Sequence, residues 1–326
     1  MAKVVLIAGE TDDPHVQRVA TALEDRRATP IVFDPRAHGR SEITYAWSGA
    51  GWQLTGSDAD TSFSGADVCG VWWRLKPSLD DPASSTEPAR FGAREWRHAL
   101  EGLESVVPQA CWINPRAVDR RTRYKLVQLV EAARSGLSVP ATLITNDPRR
   151  LSQTLALWGD EAIYKPLSRY FQAPDKLLFT NRIDRKLVEE REQNIEAAPG
   201  IFQPLIKKAY ELRVTCVGRR AFAVRIESQR SGTTSLDWRR DYDSLQYAAC
   251  KLAPELEKRL LALHCRLGLV FAAYDFIVTP QGEHIFLEVN PAGQWLWLEE
   301  ATGIPVTGAL VDMLLQDNGL SEACAP

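Results

Sequence analysis

Three oxygen-bearing side chains near the end of the chain are spaced for metal chemistry. Asp275 lies in Tyr274-Asp275-Phe276, while Glu288 and Asn290 lie in Leu287-Glu288-Val289-Asn290-Pro291. Both stretches read as strands of one hairpin, and residues two apart on a strand point to the same face. Glu288 and Asn290 therefore converge, and Asp275 joins them from the neighbouring strand. Three hard oxygen donors on one face suit Mg²⁺, which takes a few carboxylates together with nucleotide phosphates. The competing reading is a solvent-facing polar stripe. It fits less well, because both strands are otherwise apolar, as Phe271-Ala272-Ala273-Tyr274 and Ile285-Phe286-Leu287.

Phosphates also need cations. Lys125 sits on the helix that follows Asn114-Pro115, and Lys165 closes the strand Ala162-Ile163-Tyr164-Lys165 just before Pro166. Either lysine taken singly reads equally as solvated surface, but beside an acidic triad each can deliver a point charge to a triphosphate. The run from Phe202 and Gln203 through Leu205 to Glu211 and Arg213 is a strand, a loop and an acid opening the next strand. The backbone of such a strand end can read a purine edge, and a carboxylate can accept hydrogen bonds from ribose hydroxyls. Arg213 is placed to bind a substrate carboxylate or an oxyanion; a cross-strand salt bridge is an equally supported reading. Asp237-Trp238-Arg239 follows a polar loop that could carry Arg239 over the phosphates, and its bland alternative is a surface turn.

The elements that must position these groups are legible as a pattern. Residues 3–8, a helix over 15–26 and the run Thr29–Phe33 form a strand–helix–strand unit, which implies parallel α/β packing. Gly9 does not open a G-x-G-x-x-G fingerprint, which argues against dinucleotide binding. Residues 39–67 read as a hairpin or meander, Val68–Trp73 as a strand, and Ser78–Pro88 as a polar, proline-rich loop. Helices are expected over Arg90–Leu103, over Arg120–Ser135 with Gly136 closing it, over Asp184–Gln193 and over Pro254–Leu267. From Ile201 onward the pattern turns antiparallel, through Ile201–Ile206, Leu212–Val217 and Ala221–Glu227, to the hairpin Phe271–Val278 and His284–Val289. The fold class is thus α/β, with α+β character in the second half.

Composition narrows the function. The chain has 326 residues, 45% of them hydrophobic and 25% charged, with a formal net charge of -3. That is ordinary globular usage with no global basic field, so nucleic acid is not an expected partner. Six cysteines lie far apart without a C-x-x-C pair, which gives zinc and thioredoxin-like readings no support. No run is apolar enough to span a membrane, no signal peptide is evident, and the cytoplasm is the expected location. His15, His38, His98, His264 and His284 show no ligand spacing. Of Trp295 and Trp297 in Gln294-Trp295-Leu296-Trp297, one is expected in the core and one could wall a cleft.

The ordered set resembles the ATP-grasp superfamily: helix lysine, strand lysine, hinge, acid, arginine, then an aspartate followed by Glu-x-Asn. It is similar to that of glutathione synthetases and D-alanine–D-alanine ligases. The resemblance implies an ATP-grasp fold with a Rossmann-like N-terminal domain (1–115), a central lid (116–200) and a C-terminal unit with the metal site (201–326). It also implies ATP and Mg²⁺ as cofactors, with Lys125 and Lys165 on the phosphates. Gln203 and Leu205 would lie at the adenine hinge, Glu211 on the ribose, and Arg239 on the transferred phosphoryl group. Asp275, Glu288 and Asn290 would hold two Mg²⁺ ions.

Longer segments narrow the likeness. Val71-Trp72-Trp73-Arg74-Leu75-Lys76-Pro77, Gly136 to Pro148, Glu211 to Thr215, Asp237-Trp238-Arg239 and Glu288 to Glu299 resemble the graspetide synthetases, the microviridin-type peptide macrocyclases. Where that family usually has Trp-Tyr-Arg-Arg-Pro, this chain has altered spacing between Arg74 and Pro77. The resemblance implies an enzyme that phosphorylates Asp or Glu side chains of a ribosomal precursor peptide and closes ester or amide rings, with a homodimer as the family's expectation. A ligase joining a free amino acid or small carboxylate to an amine is the alternative, and a non-catalytic nucleotide-binding regulator is the third class.

Overall fold

The computed structural model describes residues 3–34, 41–58, 61–75, 86–168, 171–173, 176–177, 180–230 and 245–316. The first strand, β1 (Val4–Ala8), is buried at every position, as a strand covered on both faces must be. Helix α1 (Pro14–Asp25) starts at the cap Asp13, whose carboxylate accepts from the His15 N–H, and it buries Val16, Val19 and Leu23 along one stripe. The next strand, β2 (Thr29–Phe33), pairs with β1 in parallel. An antiparallel meander follows, of β3 (Ser41–Trp47), β4 (Trp52–Asp58) and β5 (Thr61–Ser64). After β6 (Val68–Trp73) come α2 (Glu87–Glu101), α3 (Leu103–Val106) and β7 (Cys111–Ile113), which complete a four-stranded parallel sheet in the order β2-β1-β6-β7.

The helix expected over 120–135 is two helices, α4 (Arg116–Thr122) and α5 (Lys125–Arg134). Tyr124 between them is extended, at φ -76° and ψ 116°. A continuous helix would give the Thr122 carbonyl to a backbone N–H four residues on; here the Gln128 amide supplies that hydrogen bond instead, at 2.7 Å. The break makes Lys125 the first residue of α5. Beyond it lie β8 (Leu143–Thr145), α6 (Pro148–Leu157), β9 (Ala162–Lys165), the short pair β10 (Phe171–Ala173) and β11 (Lys176–Leu177), and β12 (Asn181–Ile183). The helix expected over 184–193 is likewise two, α7 (Arg185–Glu190) and α8 (Glu192–Ala197), parted at Arg191. Strand β13 (Gly200–Pro204) returns to the middle sheet, whose order is β12-β9-β13-β8.

The third sheet is antiparallel, in the order β16-β15-β14-β17-β18, built from β14 (Tyr210–Val217), β15 (Arg220–Ile226), β16 (Tyr247–Cys250), β17 (Phe271–Val278) and β18 (His284–Asn290). Helix α9 (Pro254–Leu267) precedes β17 and ends on Gly268, whose left-handed φ of 73° is what a helix C-terminus asks of glycine. Leu260, Leu263 and Leu267 of α9, with Leu129 and Ala132 of α5, pack on Leu212, Val214, Tyr274 and Phe286. That leaves the other face of the sheet, with its polar side chains, turned away from this core. Two last helices, α10 (Leu296–Thr302) and α11 (Val306–Leu314), lie against the parallel sheet. Val306, Ala309, Leu310 and Leu314 there share a cluster with Val5, Ile7, Val19 and Trp72.

One buried group makes the fold sensitive to acid. His264 of α9 is fully buried, with its Nδ1 2.8 Å from the Tyr274 hydroxyl, and burial pushes its pKa from 6.5 down to about 4. The unfolded chain takes up a proton at about pH 6.5 that the folded chain refuses until about pH 4. Stability from this group is therefore full above pH 6.5 and falls as pH is lowered toward 4, by up to roughly 3 kcal/mol. Urea unfolding at pH 7 and at pH 4.5 should show the loss in the wild type and a shallower one in His264→Gln. Equal slopes in the two proteins would dismiss the assignment.

Candidate active site

The acidic residues meet because of a strand irregularity. Near the hairpin turn, Val278, Ile277 and Phe276 pair with His284, Ile285 and Phe286. Continued without interruption, that register would set Asp275 opposite Leu287. Instead the register shifts between Asp275 and Phe276, and Asp275 pairs with Glu288 and Ala273 with Asn290. One extra residue on β18 therefore turns Glu288 and Asn290 to the face that carries Asp275. On the other side of β17, Asp275 pairs with Arg213 and Ile277 with Glu211. Arg213, Asp275 and Glu288 thus form one row across three strands, with Asn290 a step along and Glu211 a step the other way.

Charges along this row are matched. The Arg213 Nη1 donates to both Asp275 oxygens, at 2.8 and 2.9 Å, and its Nη2 donates to the Gln294 carbonyl at 3.1 Å. The cross-strand salt bridge weighed for Arg213 is therefore present. Both side chains are nearly inaccessible, at 7% and 4%. Lys125, at the start of α5, pairs with Glu288. This pair is reachable, with exposures of 26% and 21%. The Asn290 Oδ1 accepts from the Ala292 N–H at 3.1 Å. Glu211 is buried; its burial pushes the carboxyl pKa up, against the opposing pull of Lys208, which stands 2.5 Å away.

A second group of expected residues meets on the middle sheet. Gln203 pairs with Ile163, and Ile201 with Lys165, across β13 and β9. The Lys165 ammonium donates to the Gln203 side-chain oxygen at 3.1 Å, and the Gln203 amide donates to the Thr142 hydroxyl at 3.0 Å. The Leu205 N–H is taken by the Glu161 carbonyl at 3.1 Å. Arg239 lies outside the described residues. Among the described residues no group of three or more His, Cys, Asp or Glu is arranged to hold a metal. The row offers two carboxylates and an amide oxygen, a donor set that fits Mg²⁺ when phosphate oxygens complete its shell.

Sequence reasoning missed three residues that set this geometry. Gln128, one turn along α5 from Lys125, donates to the Val289 carbonyl at 2.9 Å and accepts from the Val289 N–H at 3.2 Å, tying α5 to β18. Asn114, just past β7, satisfies all its polar atoms on backbone: it donates to the Phe271 and Pro291 carbonyls and accepts from the Val270 and Phe271 N–H groups. His15 holds the segment after β18. The Lys-x-x-Gln spacing on a helix was the one available signal for Gln128. Of the two tryptophans, Trp295 is fully buried, while Trp297 packs edge-on against Tyr247.

No protein-family model and no curated protein matches the chain. Solved structures do. A RiPP-associated ATP-grasp ligase of Chryseobacterium gregarium, in complex with ADP and a leader and core peptide, is 26% identical, with a TM-score of 0.85 over 96% of both chains. Macrocyclase MdnC of Microcystis aeruginosa, bound with the precursor peptide MdnA, is 27% identical, with a TM-score of 0.82 over 96% of this chain and 99% of that one. The ATP-grasp ligase PsnB, complexed with a phosphomimetic variant of its minimal precursor, Mg and ADP, shares the fold at 22% identity, with a TM-score of 0.76 over 97% and 98% of the two chains.

Proposed function

We propose that this chain, an ATP-grasp ligase that matches the RiPP-associated ATP-grasp ligases over nearly its whole length, phosphorylates Asp or Glu side chains of a ribosomal precursor peptide and closes them into ester or amide rings. The observation that carries the reading is the charged row Arg213–Asp275–Glu288 with Lys125 against its open end. In this reading 1–115 is the N-terminal domain, 116–200 the lid and 201–326 the unit with the metal site. Strand β13 pairs within the middle sheet and is followed, after residues 205–209, by β14 of the third sheet, so it links the last two.

The chemistry follows from charge. A substrate carboxylate oxygen attacks the γ-phosphorus of ATP, the bond to the bridging oxygen breaks, and ADP leaves with that electron pair. Like charges approach one another in this step, so cations must neutralise the oxygens in flight. Lys125 and Lys165 serve as point charges on the phosphates, and Gln203 orients Lys165 at the hinge beside Leu205. Glu211 accepts from the ribose, and Arg239 steadies the transferred phosphoryl group. Glu288 and Asn290, with Asp275 behind them, would hold Mg²⁺, which when bound neutralises phosphate charge. A hydroxyl or amine then attacks the acyl carbon, gives up its proton, and phosphate departs. Arg213 holds Asp275 in place and presents positive charge where the tetrahedral oxyanion forms. Acyl-phosphates hydrolyse, so the lid must exclude water. We place this work in the cytoplasm; among the described residues no helix is long and apolar enough to cross a membrane.

Mixing the purified protein with ATP, Mg²⁺ and a Thr/Glu- or Lys/Asp-rich peptide encoded beside its gene should release ADP and remove one water mass per ring. ADP release with small carboxylates and amines but never with such peptides would replace the macrocyclase reading by the small-molecule one.

A further inference from the structure

The parallel sheet has the order β2-β1-β6-β7, so the chain leaves β1 in one direction and reaches β6 in the other. In open α/β sheets the crevice at such a switch point, beyond the carboxyl ends of the strands, is where a ligand sits. Here a segment of the chain itself, residues 291–296, is held there. Arg74, just past β6, donates through Nη1 to the Ala292 carbonyl at 2.9 Å and through Nε to Asp13 at 3.1 Å. The His15 Nε2 accepts from the Trp295 N–H at 3.2 Å and the Leu296 N–H at 3.3 Å. Backbone N–H groups only donate, so Nε2 is the acceptor there, while Nδ1 stands 3.0 Å from Asp13 Oδ1 and 3.2 Å from the Arg74 Nη2. Burial opposes the Asp13 charge, but the His15 hydrogen bonds and the Arg74 charge outweigh it and hold the carboxyl well below the usual carboxylate range.

The held segment is the one that sets the reactive row. Ala292 is gripped at both ends, its carbonyl by Arg74 and its N–H by the Asn290 side chain. The Gln294 carbonyl, two residues on, anchors the guanidinium that holds Asp275. We infer that Asp13, His15 and Arg74 are positioning residues, which fix the orientation of Asn290 and Arg213 by clamping the segment between them from the switch point of the N-terminal sheet. Arg74 is thereby a clamp, with its guanidinium fully engaged and the residue 5% exposed. The inference rests on the ligase reading and adds residues from the far domain to it.

The test uses the full chain and two probes, ADP alone and ADP with Mg²⁺, titrated by calorimetry. His15→Phe keeps a ring against Trp295 but offers no acceptor; His15→Gln restores an acceptor oxygen at that reach. In His15→Phe the gain in ADP affinity on adding Mg²⁺ should shrink about tenfold or more, the usual scale for a partner behind a metal ligand. Affinity for ADP alone should stay within about twofold, and His15→Gln should recover most of the loss. Arg74→Lys, which keeps a positive charge beside Asp13 but has one nitrogen where the guanidinium holds Asp13 and the Ala292 carbonyl with two, carries the same expectation and decides the matter if His15→Phe does not fold. An unchanged Mg²⁺ gain in a folded variant, an equal fall with and without Mg²⁺, or no recovery in His15→Gln overturns the inference. Wild-type protein that binds no ADP under either condition overturns the ligase reading and this inference with it.

Discussion

Glu288→Gln is expected to lower turnover by about a hundredfold or more, the scale of losing one preorganised charge from a reacting centre, while moving the melting temperature by less than about 3 °C. The small stability cost follows from the setting of the Lys125–Glu288 pair. Both side chains keep a fifth to a quarter of their surface in water, and an ion pair so screened contributes about 0–1 kcal/mol. Glutamine retains the volume, the strand register and one oxygen for the Lys125 ammonium. It gives up the negative charge, which is the property a Mg²⁺ site needs. Asp275→Asn would be a poor substitute as a probe. It halves a buried pair with Arg213, and breaking such a pair costs about 3–5 kcal/mol, so lost activity could not be told from lost fold. ADP release and peptide dehydration, measured beside a thermal melt, check the expectation for Glu288. Turnover within threefold of wild type would take Glu288 out of the reaction.

The contrast between those two acids shows where sequence reading stops. The two-residue period of a strand placed Glu288 and Asn290 on one face, and the apolar flanks marked that face as enclosed. The parallel start and the antiparallel end were legible by the same means, since periodicity and turn residues are local properties; the ATP-grasp architecture was legible only through the resemblance of the ordered site residues to that superfamily. The shift that sets Asp275 opposite Glu288 was not legible, because neither Phe286 nor Leu287 signals an extra residue. Nor was the difference between a carboxylate locked under Arg213 and one open to solvent beside Lys125, which depends on tertiary burial. The positioning roles of Gln128, Asn114 and His15 escaped notice for a common reason. Their partners are largely backbone atoms, many of them more than 150 residues away along the chain, and a backbone atom leaves no trace in residue type. The break between α4 and α5 has the same origin, since the Gln128 side chain takes over a helical hydrogen bond.

Gly293 is the position where the close fit of the clamped segment can be tested with one methyl group. A Cβ built there would stand 2.3 Å from the Ala273 Cβ, 3.1 Å from the Arg213 Nη2 and 3.2 Å from the Asn290 carbonyl oxygen. The first contact is impossible without movement, and what must move is β17 or the segment itself. Either motion carries the Arg213–Gln294 hydrogen bond and the Asn290 carbonyl with it. Gly293→Ala should therefore destabilise the protein by about 1–3 kcal/mol, as overpacking does. It should also cut turnover by about a hundredfold, the loss expected from a displacement near 1 Å at a reacting centre. Ala273→Gly removes the methyl on the opposite side. In the double variant the 2.3 Å contact is gone, and only the Arg213 Nη2 and the Asn290 carbonyl, at 3.1 and 3.2 Å, remain to adjust. Part of both losses should return, with a coupling of about 1 kcal/mol or more in a double-mutant cycle. Strict additivity of the two substitutions would mean that the segment does not press on β17, and that the row Arg213–Asp275–Glu288 is set independently of the segment packed against it.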